Sequence, residues 1–122
     1  MKVTNFFINL TSEDPERLKG FYRNVVGLAP NTDMGDSAFH AGGATIGIDG
    51  HSDTKGNAKE PQRLLIDFFV DDLKTEQERL EGLGVKFIRK AGKEYWGGTI
   101  STFLDPDGNY CQLIEYNPQT PA

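Results

Sequence analysis

The feature that most constrains the fold is a plan of residues that occurs twice along the chain. In each half, an alternating apolar segment leads into an acidic helix start, an amphipathic helix, a glycine and further strand-like segments. At a spacing of 58 positions, Phe7 corresponds to Leu65 and Asp14 to Asp72. A repeated plan of this length predicts two similar βαβββ modules, and therefore an α+β fold.

The predicted helices begin and end at residues that favour helix boundaries. Asp14 precedes Pro15, and a capping carboxylate followed by proline in the first turn is typical of a helix start. Gly27 suits the left-handed conformation that ends many helices. In the second half, Asp72 is the predicted cap of a helix that continues through Leu80.

The predicted strands alternate between two faces, so every second side chain lies on the same side. Residues 51–61 are polar and lack apolar periodicity, which predicts a surface connector between the halves. The predicted strands are Asn5 to Leu10, three short antiparallel strands within Leu28 to Gly50, Arg63 to Asp71, Val85 to Ile88, and a hairpin over Thr102 to Tyr116. The turn of that hairpin is Asp105 to Asn109, where Gly108 can adopt a positive φ.

Length and composition exclude several classes of function. A chain of 122 residues predicts a single domain over residues 1–122, with module one at about 1–50, the connector at 51–61 and module two at 62–118. The net charge of −5 argues against a nucleic-acid partner. With no apolar leader and no run of about 20 apolar residues, we expect a cytoplasmic protein and no membrane partner. The single cysteine, Cys111, excludes an internal disulfide and is expected to be a buried, inert thiol.

Three stretches of the sequence carry a resemblance to a known family. They are the helix from Asp14 to Gly27 with Phe21-Tyr22 before Val26-Gly27-Leu28, the step Phe69-Val70-Asp71-Asp72-Leu73, and the turn Phe103-Leu104-Asp105-Pro106-Asp107-Gly108-Asn109. Together they resemble the vicinal oxygen chelate (VOC) superfamily of glyoxalases, bleomycin-resistance proteins and extradiol dioxygenases. The resemblance implies that the two βαβββ modules form a curled mixed sheet cup with helices outside. For the bleomycin-resistance branch it also implies a homodimer.

The metal-dependent members of that family bind a divalent ion with four side chains. The resemblance places those ligands at Phe7, Gly47, Leu65 and Gln112, with Gly47 corresponding to Gln112 in the second module. Metal ligation needs imidazole, carboxylate or thiolate donors, and this set offers one neutral amide oxygen. We therefore expect no metal and no other cofactor. A register shifted by two residues would bring Asp49 and Asp67 forward and leaves a metal alternative open.

The predicted ligand site is the strand face that would line the cup. An aromatic and aliphatic wall with a few polar groups is typical of a small-molecule pocket. Asp67, inside an apolar run, indicates a ligand contact, a bond to Asn9 or Arg63, or a position near water. Trp96, beside two glycines, suits either a mobile lid or a side chain packed over the sheet edge. The candidate ligand-binding residues are Asn5, Phe7, Asn9, Leu65, Asp67, Phe69, Trp96, Tyr110 and Gln112.

Two main functions follow from these observations. The first is a metal-free VOC-fold protein that binds a small organic molecule in its cup, for sequestration or sensing as in the bleomycin-resistance branch. The alternative is a glyoxalase-like lyase or dioxygenase-type enzyme with a non-standard or metal-independent site, in which Asp67 would be the candidate base. The sequence assigns no further catalytic residue, and no feature favours or excludes a purely structural or regulatory domain.

Overall fold

A computed structural model describes residues 1–116 and divides the chain into two compact units. The first unit is Met1–Gly56, and the second begins at Asn57. Residues 51–56, predicted as part of the connector, therefore belong to the first unit, where Thr54 and Thr11 share a hydrogen bond of 2.8 Å. The last two residues predicted for module two, 117 and 118, lie outside the described residues. A single domain over the whole chain stays a prediction.

The first unit contains a three-stranded sheet in the order β1-β3-β2. Strands β1 and β3 pair in parallel, and β2 and β3 pair antiparallel. The helix α1 continues as a π-helix and ends at Gly27, whose φ of 88° is the left-handed conformation that the sequence predicted. The elements are β1 (Phe7–Ser12), α1 (Pro15–Gly20) with its π-helical continuation (Phe21–Val26), β2 (Ala38–Ala41) and β3 (Ala44–Gly50).

The prediction of three strands after the first helix is wrong for the described chain, which has two. Between Gly27 and β2 the backbone forms a short 3-10 helix at Thr32–Met34 and a single bridge between Pro30 and Phe39. Proline has no N–H to donate to a strand ladder, so Pro30 limits pairing at that point. The two strands that do form within this stretch, β2 and β3, pair antiparallel as predicted, and β3 also pairs in parallel with β1.

The second unit has the complete predicted βαβββ order. Its sheet order is β4-β7-β6-β5, with β4 and β7 parallel and the other two pairs antiparallel. The parallel pair β4–β7 repeats the pair β1–β3 of the first unit, which is the structural form of the repeated plan in the sequence. The elements are β4 (Ile66–Phe69), α2 (Leu73–Gly82), β5 (Phe87–Lys93), β6 (Thr99–Leu104) and β7 (Tyr110–Glu115).

Both predicted helix caps are confirmed. The carboxylate of Asp14 accepts the amide of Arg17 at 3.2 Å, and that of Asp72 accepts the amide of Thr75 at 3.1 Å. Glu115 of β7 accepts the first amide of α2 at 2.9 Å, which ties the helix to the strand. No helix within residues 1–116 is long and apolar enough to cross a membrane.

Each unit buries an apolar core between its helix and its sheet. In the second unit, α2 contacts β5, β6 and β7. The ring centroids of Phe87 and Phe103 lie 5.3 Å apart in this core. The thiol of Cys111 is buried there as expected. The buried apolar residues of the first unit are Leu10, Leu18, Tyr22, Ala38, Phe39, Ile46 and Ile48. In the second unit, Leu73, Leu80, Phe87, Phe103, Cys111 and Leu113 are buried on the helix side, and the paired residues Ile100 and Ile114 are buried on the opposite side of the sheet.

The turn between β6 and β7 is held by one buried side chain, Asp105. Its Oδ1 accepts the amides of Asp107 at 2.9 Å and Asn109 at 3.0 Å. Its Oδ2 accepts the side-chain amide of Asn109 at 2.8 Å. Gly108 adopts the predicted positive φ, at 78°. This turn fixes the register in which β7 is placed beside β6.

Candidate functional site

Alternate residues of β4 and β7 form an open surface in the second unit. In the parallel register, Asp67 lies beside Gln112 and Phe69 lies beside Ile114. Ile114 is buried, whereas Phe69 is 69% exposed and Leu65, two positions before Asp67, is 43% exposed. Large apolar side chains are thus presented to solvent around a carboxylate. We call this surface the β4–β7 face and define it by Asp67 and Phe69 of β4, by Tyr110, Gln112 and Ile114 of β7, and by Leu65, which directly precedes the first residue of β4, Ile66.

A polar row extends across the sheet from Asp67. Gln112 lies beside Thr102 of β6 and donates its Nε2 to the Thr102 hydroxyl at 3.2 Å. Thr102 is paired in turn with Arg89 of β5, whose Nη1 donates to Glu94 at 2.7 Å. Gln112 therefore has its amide nitrogen directed to Thr102, while its backbone lies beside that of Asp67.

Asp67 is the one carboxylate on the β4–β7 face, and it is exposed. Among the residues that the structure describes in this unit, none forms a hydrogen bond or an ion pair with it. Arg63, one of its predicted partners, pairs instead with Glu60 at 3.6 Å. The protein around Asp67 removes part of its hydration and thereby raises the pKa of its carboxyl above the ordinary value.

The equivalent position in the first unit, Asn9, is satisfied locally. Asn9 lies beside Gly47 in the β1–β3 register, as Asp67 lies beside Gln112, and so the predicted correspondence of Gly47 with Gln112 is confirmed. The Asn9 side chain donates to Asp49 Oδ2 at 3.2 Å, and its Oδ1 occupies the space that a Cβ at position 47 would need. Asn9 therefore fills the gap that the glycine leaves. Phe7 lies on the same face of β1, two residues earlier and partly exposed.

The four positions that ligate metal in the family do not provide a metal site here. Phe7 and Leu65 are hydrocarbon side chains, Gly47 has no side chain, and Gln112 directs its amide nitrogen to Thr102. A divalent ion needs several charged or strongly basic donors, and this set supplies one neutral oxygen. Within residues 1–116, no group of three or more histidine, cysteine, aspartate and glutamate side chains is placed to hold a metal ion.

Asn5 lies outside the strand that was predicted to carry it. The first strand begins at Phe7, and the Asn5 side chain accepts the amide of Phe6 at 2.8 Å. A side chain that binds the neighbouring backbone in this way competes with the strand ladder. Asn5 instead lines a shallow hollow of about 320 Å³ at the start of the first unit, together with Val3, Thr4, Phe6, Gly43 and Ala44.

Trp96 lies in the turn between β5 and β6, where the amide of Glu94 donates to Gly98 O at 2.8 Å. Its indole covers Gly98 so closely that a Cβ there would overlap the ring. The indole also meets the ring of Tyr116 edge-on, with 5.3 Å between centroids. These contacts favour the packed interpretation of Trp96 over the mobile lid.

Two partners in this region were missed from the sequence. Thr102 was not identified as the partner of Gln112, although both lie five residues from Asp107 at the centre of the turn. Counting outward from the turn would have paired them, because opposite hairpin residues are equidistant from its centre. Asp49, the partner of Asn9, lies 40 residues along the chain and gives no comparable local signal.

The two-module α+β architecture, with its paired parallel strands, agrees with the fold expected from the sequence. The family model of the Glyoxalase/Bleomycin resistance protein/Dioxygenase superfamily matches residues 6–113. The chain therefore belongs to this superfamily, and the predicted fold class is confirmed. A search of curated proteins found no match.

Solved structures of the same fold come from several bacteria. A protein of unknown function from Agrobacterium tumefaciens is 25% identical, with a TM-score of 0.71 over 96% of this chain and 95% of its own. A superfamily member from Sphaerobacter thermophilus is 19% identical, with a TM-score of 0.73 over 95% and 99%. A lactoylglutathione lyase from A. tumefaciens is 17% identical, with a TM-score of 0.68 over 94% and 95%. At these low identities the similarity extends to the fold.

Proposed function

We propose that this protein binds a small organic molecule on the β4–β7 face, without a metal ion, for sequestration or sensing. The observation that carries the proposal is the exposure of Leu65 and Phe69, two positions before and two positions after Asp67, with Phe69 beside the buried Ile114. Clustered apolar side chains at a surface with a few fixed polar groups are typical of a binding site. Sheet faces without such a role usually present polar side chains to water.

The face supplies both an apolar contact and a polar one. Covering a phenylalanine or leucine side chain contributes up to about 1.5–3 kcal/mol, so covering both Phe69 and Leu65 corresponds to a Kd between several millimolar and roughly tens of micromolar. Gln112 is held in place by its bond to Thr102 and provides a fixed acceptor at the edge of the apolar surface. Shape and stacking on Phe69 would therefore give affinity, and Gln112 would orient the ligand.

The ligand proposal is tested by titrating ¹⁵N-labelled protein with a library of small aromatic compounds. We expect compounds that bind to shift the amides of β4 and β7, and Phe69→Ala to weaken their Kd at least tenfold, because the variant loses most of the apolar contact. Leu83→Ala is the matched control, since Leu83 is 55% exposed at the end of α2, outside the face. Library compounds that leave β4 and β7 unshifted, or an equal loss in both variants, would count against the proposal.

The lyase or dioxygenase alternative is tested with divalent ions. Reactions that stabilise charge at a bound cation need the donors that Phe7, Gly47 and Leu65 lack. We expect Zn²⁺, Ni²⁺, Mn²⁺ and Mg²⁺ to change the Tm of the chelator-treated protein by less than about 1 °C. A site saturated at a hundred times its Kd would add about 2.7 kcal/mol, which raises Tm by several degrees. Such a rise with stoichiometric metal after dialysis would favour the enzyme.

The homodimer and the cytoplasmic location implied above belong to this proposal. Binding surfaces in the bleomycin-resistance branch commonly form between two subunits, so we expect light scattering to give twice the chain's mass of 13.5 kDa. A monomer at micromolar concentration would remove the dimer from the proposal and leave the β4–β7 face as the binding surface of one chain.

A further inference from the structure

The two modules carry different groups at equivalent positions of their parallel strand pairs. Asn9 is neutral, its amide nitrogen donates to Asp49, and its amide oxygen occupies the space beside Gly47. Asp67 is an anion, and no described residue of its own unit bonds to it. The second module thus carries a charge at the position where the first module has a neutral amide whose nitrogen is bonded within its own unit.

We propose that the ligand of the β4–β7 face is an organic cation, whose positive group lies between the Asp67 carboxylate and the Phe69 ring. This inference rests on the proposed function and names the class of compound that the face selects. Protonated amines and quaternary ammonium groups attached to an apolar body belong to this class.

The spacing of the two side chains suits a cation of this kind. Asp67 and Phe69 are two positions apart on one side of β4, which separates their Cα atoms by about 6.6 Å. A cation placed between them contacts the carboxylate on one side and the negative face of an aromatic ring on the other. Gln112, whose amide nitrogen donates to Thr102, is the polar neighbour of Asp67 on β7.

No nearby positive side chain of the polar row neutralises Asp67. Of the residues in that row, only Arg89 is cationic, and it lies on β5 at the far edge of the sheet, where it bonds to Glu94 at 2.7 Å. A carboxylate that has lost hydration without gaining a partner lowers stability, and a bound cation would compensate that loss.

The partial loss of hydration also predicts whether mutation of Asp67 raises or lowers the Tm. The direction of that change distinguishes a ligand-binding carboxylate from a structural one. An acid whose pKa is raised in the folded state is least favourable when it is charged, so its ionised form destabilises the fold above that pKa. At neutral pH, Asp67→Asn should therefore keep or slightly raise the Tm, by up to about 2 °C after allowing for the exposure of the side chain. A structural carboxylate would give the opposite sign.

The test compares three probes of similar shape and different charge: 2-phenylethylammonium, 2-phenylethanol and 3-phenylpropionate. Each is titrated into ¹⁵N-labelled wild-type protein, Asp67→Asn and Glu78→Gln at neutral pH, and the Kd is read from the amides of β4 and β7. Glu78→Gln is the control, because it removes one exposed negative charge from α2, outside the β4–β7 face. We expect the wild type to bind the ammonium compound at least threefold more tightly than the alcohol, and the carboxylate most weakly.

Asp67→Asn should remove that preference without lowering the Tm, and Glu78→Gln should keep it. Equal Kd values for the cation and the alcohol in the wild type, the same loss in both variants, or a marked fall in Tm for Asp67→Asn would overturn the assignment of a cation. The proposed function would survive each of those results. If none of the three probes shifts the amides of β4 and β7, the proposed function itself fails.

Discussion

Replacing Phe103 with alanine is expected to lower the free energy of unfolding by about 3–5 kcal/mol. Phe103 is 0% exposed and its ring lies 5.3 Å from that of Phe87 on the side of the sheet that α2 covers. Truncation would leave a cavity between the helix and the sheet. Because a domain of this size is stable by only about 5–15 kcal/mol, this single change removes a large part of the total.

The same substitution on the opposite side of the sheet should have almost no effect on folding. Phe69 is largely exposed, so Phe69→Ala is expected to change the free energy of unfolding by less than about 0.5 kcal/mol. Urea denaturation followed by far-ultraviolet circular dichroism measures both variants against the wild type. Phe103→Leu, a milder change, keeps the comparison measurable if Phe103→Ala does not fold.

The contrast between these two phenylalanines tests the basis of the functional proposal. If Phe69→Ala cost more than about 2 kcal/mol, Phe69 would be buried against protein in solution, and the β4–β7 face would not be available to a ligand. If both predictions hold, Phe103 on the helix side of the sheet stabilises the fold, whereas Phe69 on the opposite side does not, although Ile100 and Ile114 are buried on that opposite side. Ligand binding would then explain why the large apolar side chain of Phe69 is exposed on the side of the sheet opposite α2.

The parts of the fold that follow from local chemistry could be predicted from the sequence. The caps at Asp14 and Asp72 and the left-handed Gly27 were predicted because each depends on residues within one turn of the helix. The limits of β1 could not be predicted in the same way. The strand continues to Ser12 because Thr11 and Ser12 pair with residues of β3, some 40 positions away.

The same distinction between local chemistry and pairing with distant strands applies to the candidate site. Strand alternation was enough to place Asp67 and Phe69 on one side, and the turn after β6 was enough to place Gln112 in β7. The sequence did not show that Asn9 covers Gly47, because this contact depends on how β1 pairs with a distant strand. It also gave Asp67 three possible environments, and only the fold of the second unit shows that Arg63 pairs elsewhere.

The second large effect is expected at Asp105, the buried carboxylate of the β6–β7 turn. Its side chain accepts two backbone amides and the side-chain amide of Asn109. Asp105→Ala removes all three bonds and leaves the turn amides without an acceptor, and each lost bond to a charged group is worth about 1.5–3 kcal/mol. We expect the alanine variant to lose at least about 3 kcal/mol of stability.

Asp105→Asn separates the geometry of the turn from its charge. The amide oxygen can still accept the backbone amides of Asp107 and Asn109, whereas the bond to the Asn109 side chain must be rearranged, so we expect a loss of about 1 kcal/mol. Urea denaturation of both variants measures the difference, with Asp71→Ala as the control for an exposed carboxylate. Equal stability of Asp105→Ala and that control would contradict the bonding described here.

The Asp105 variants also connect the turn to the binding surface. The turn fixes the register that sets Thr102 opposite Gln112, and Gln112 in turn lies beside Asp67. In Asp105→Asn, which should still fold, we expect the amide of Gln112 to keep its chemical shift and the Kd of an aromatic ligand to stay within about twofold of the wild type. A larger loss of binding at nearly full stability would mean that small movements of the turn are transmitted through β7 to the β4–β7 face. The position of Gln112 would then depend on the charge of Asp105 as well as on its hydrogen bonds.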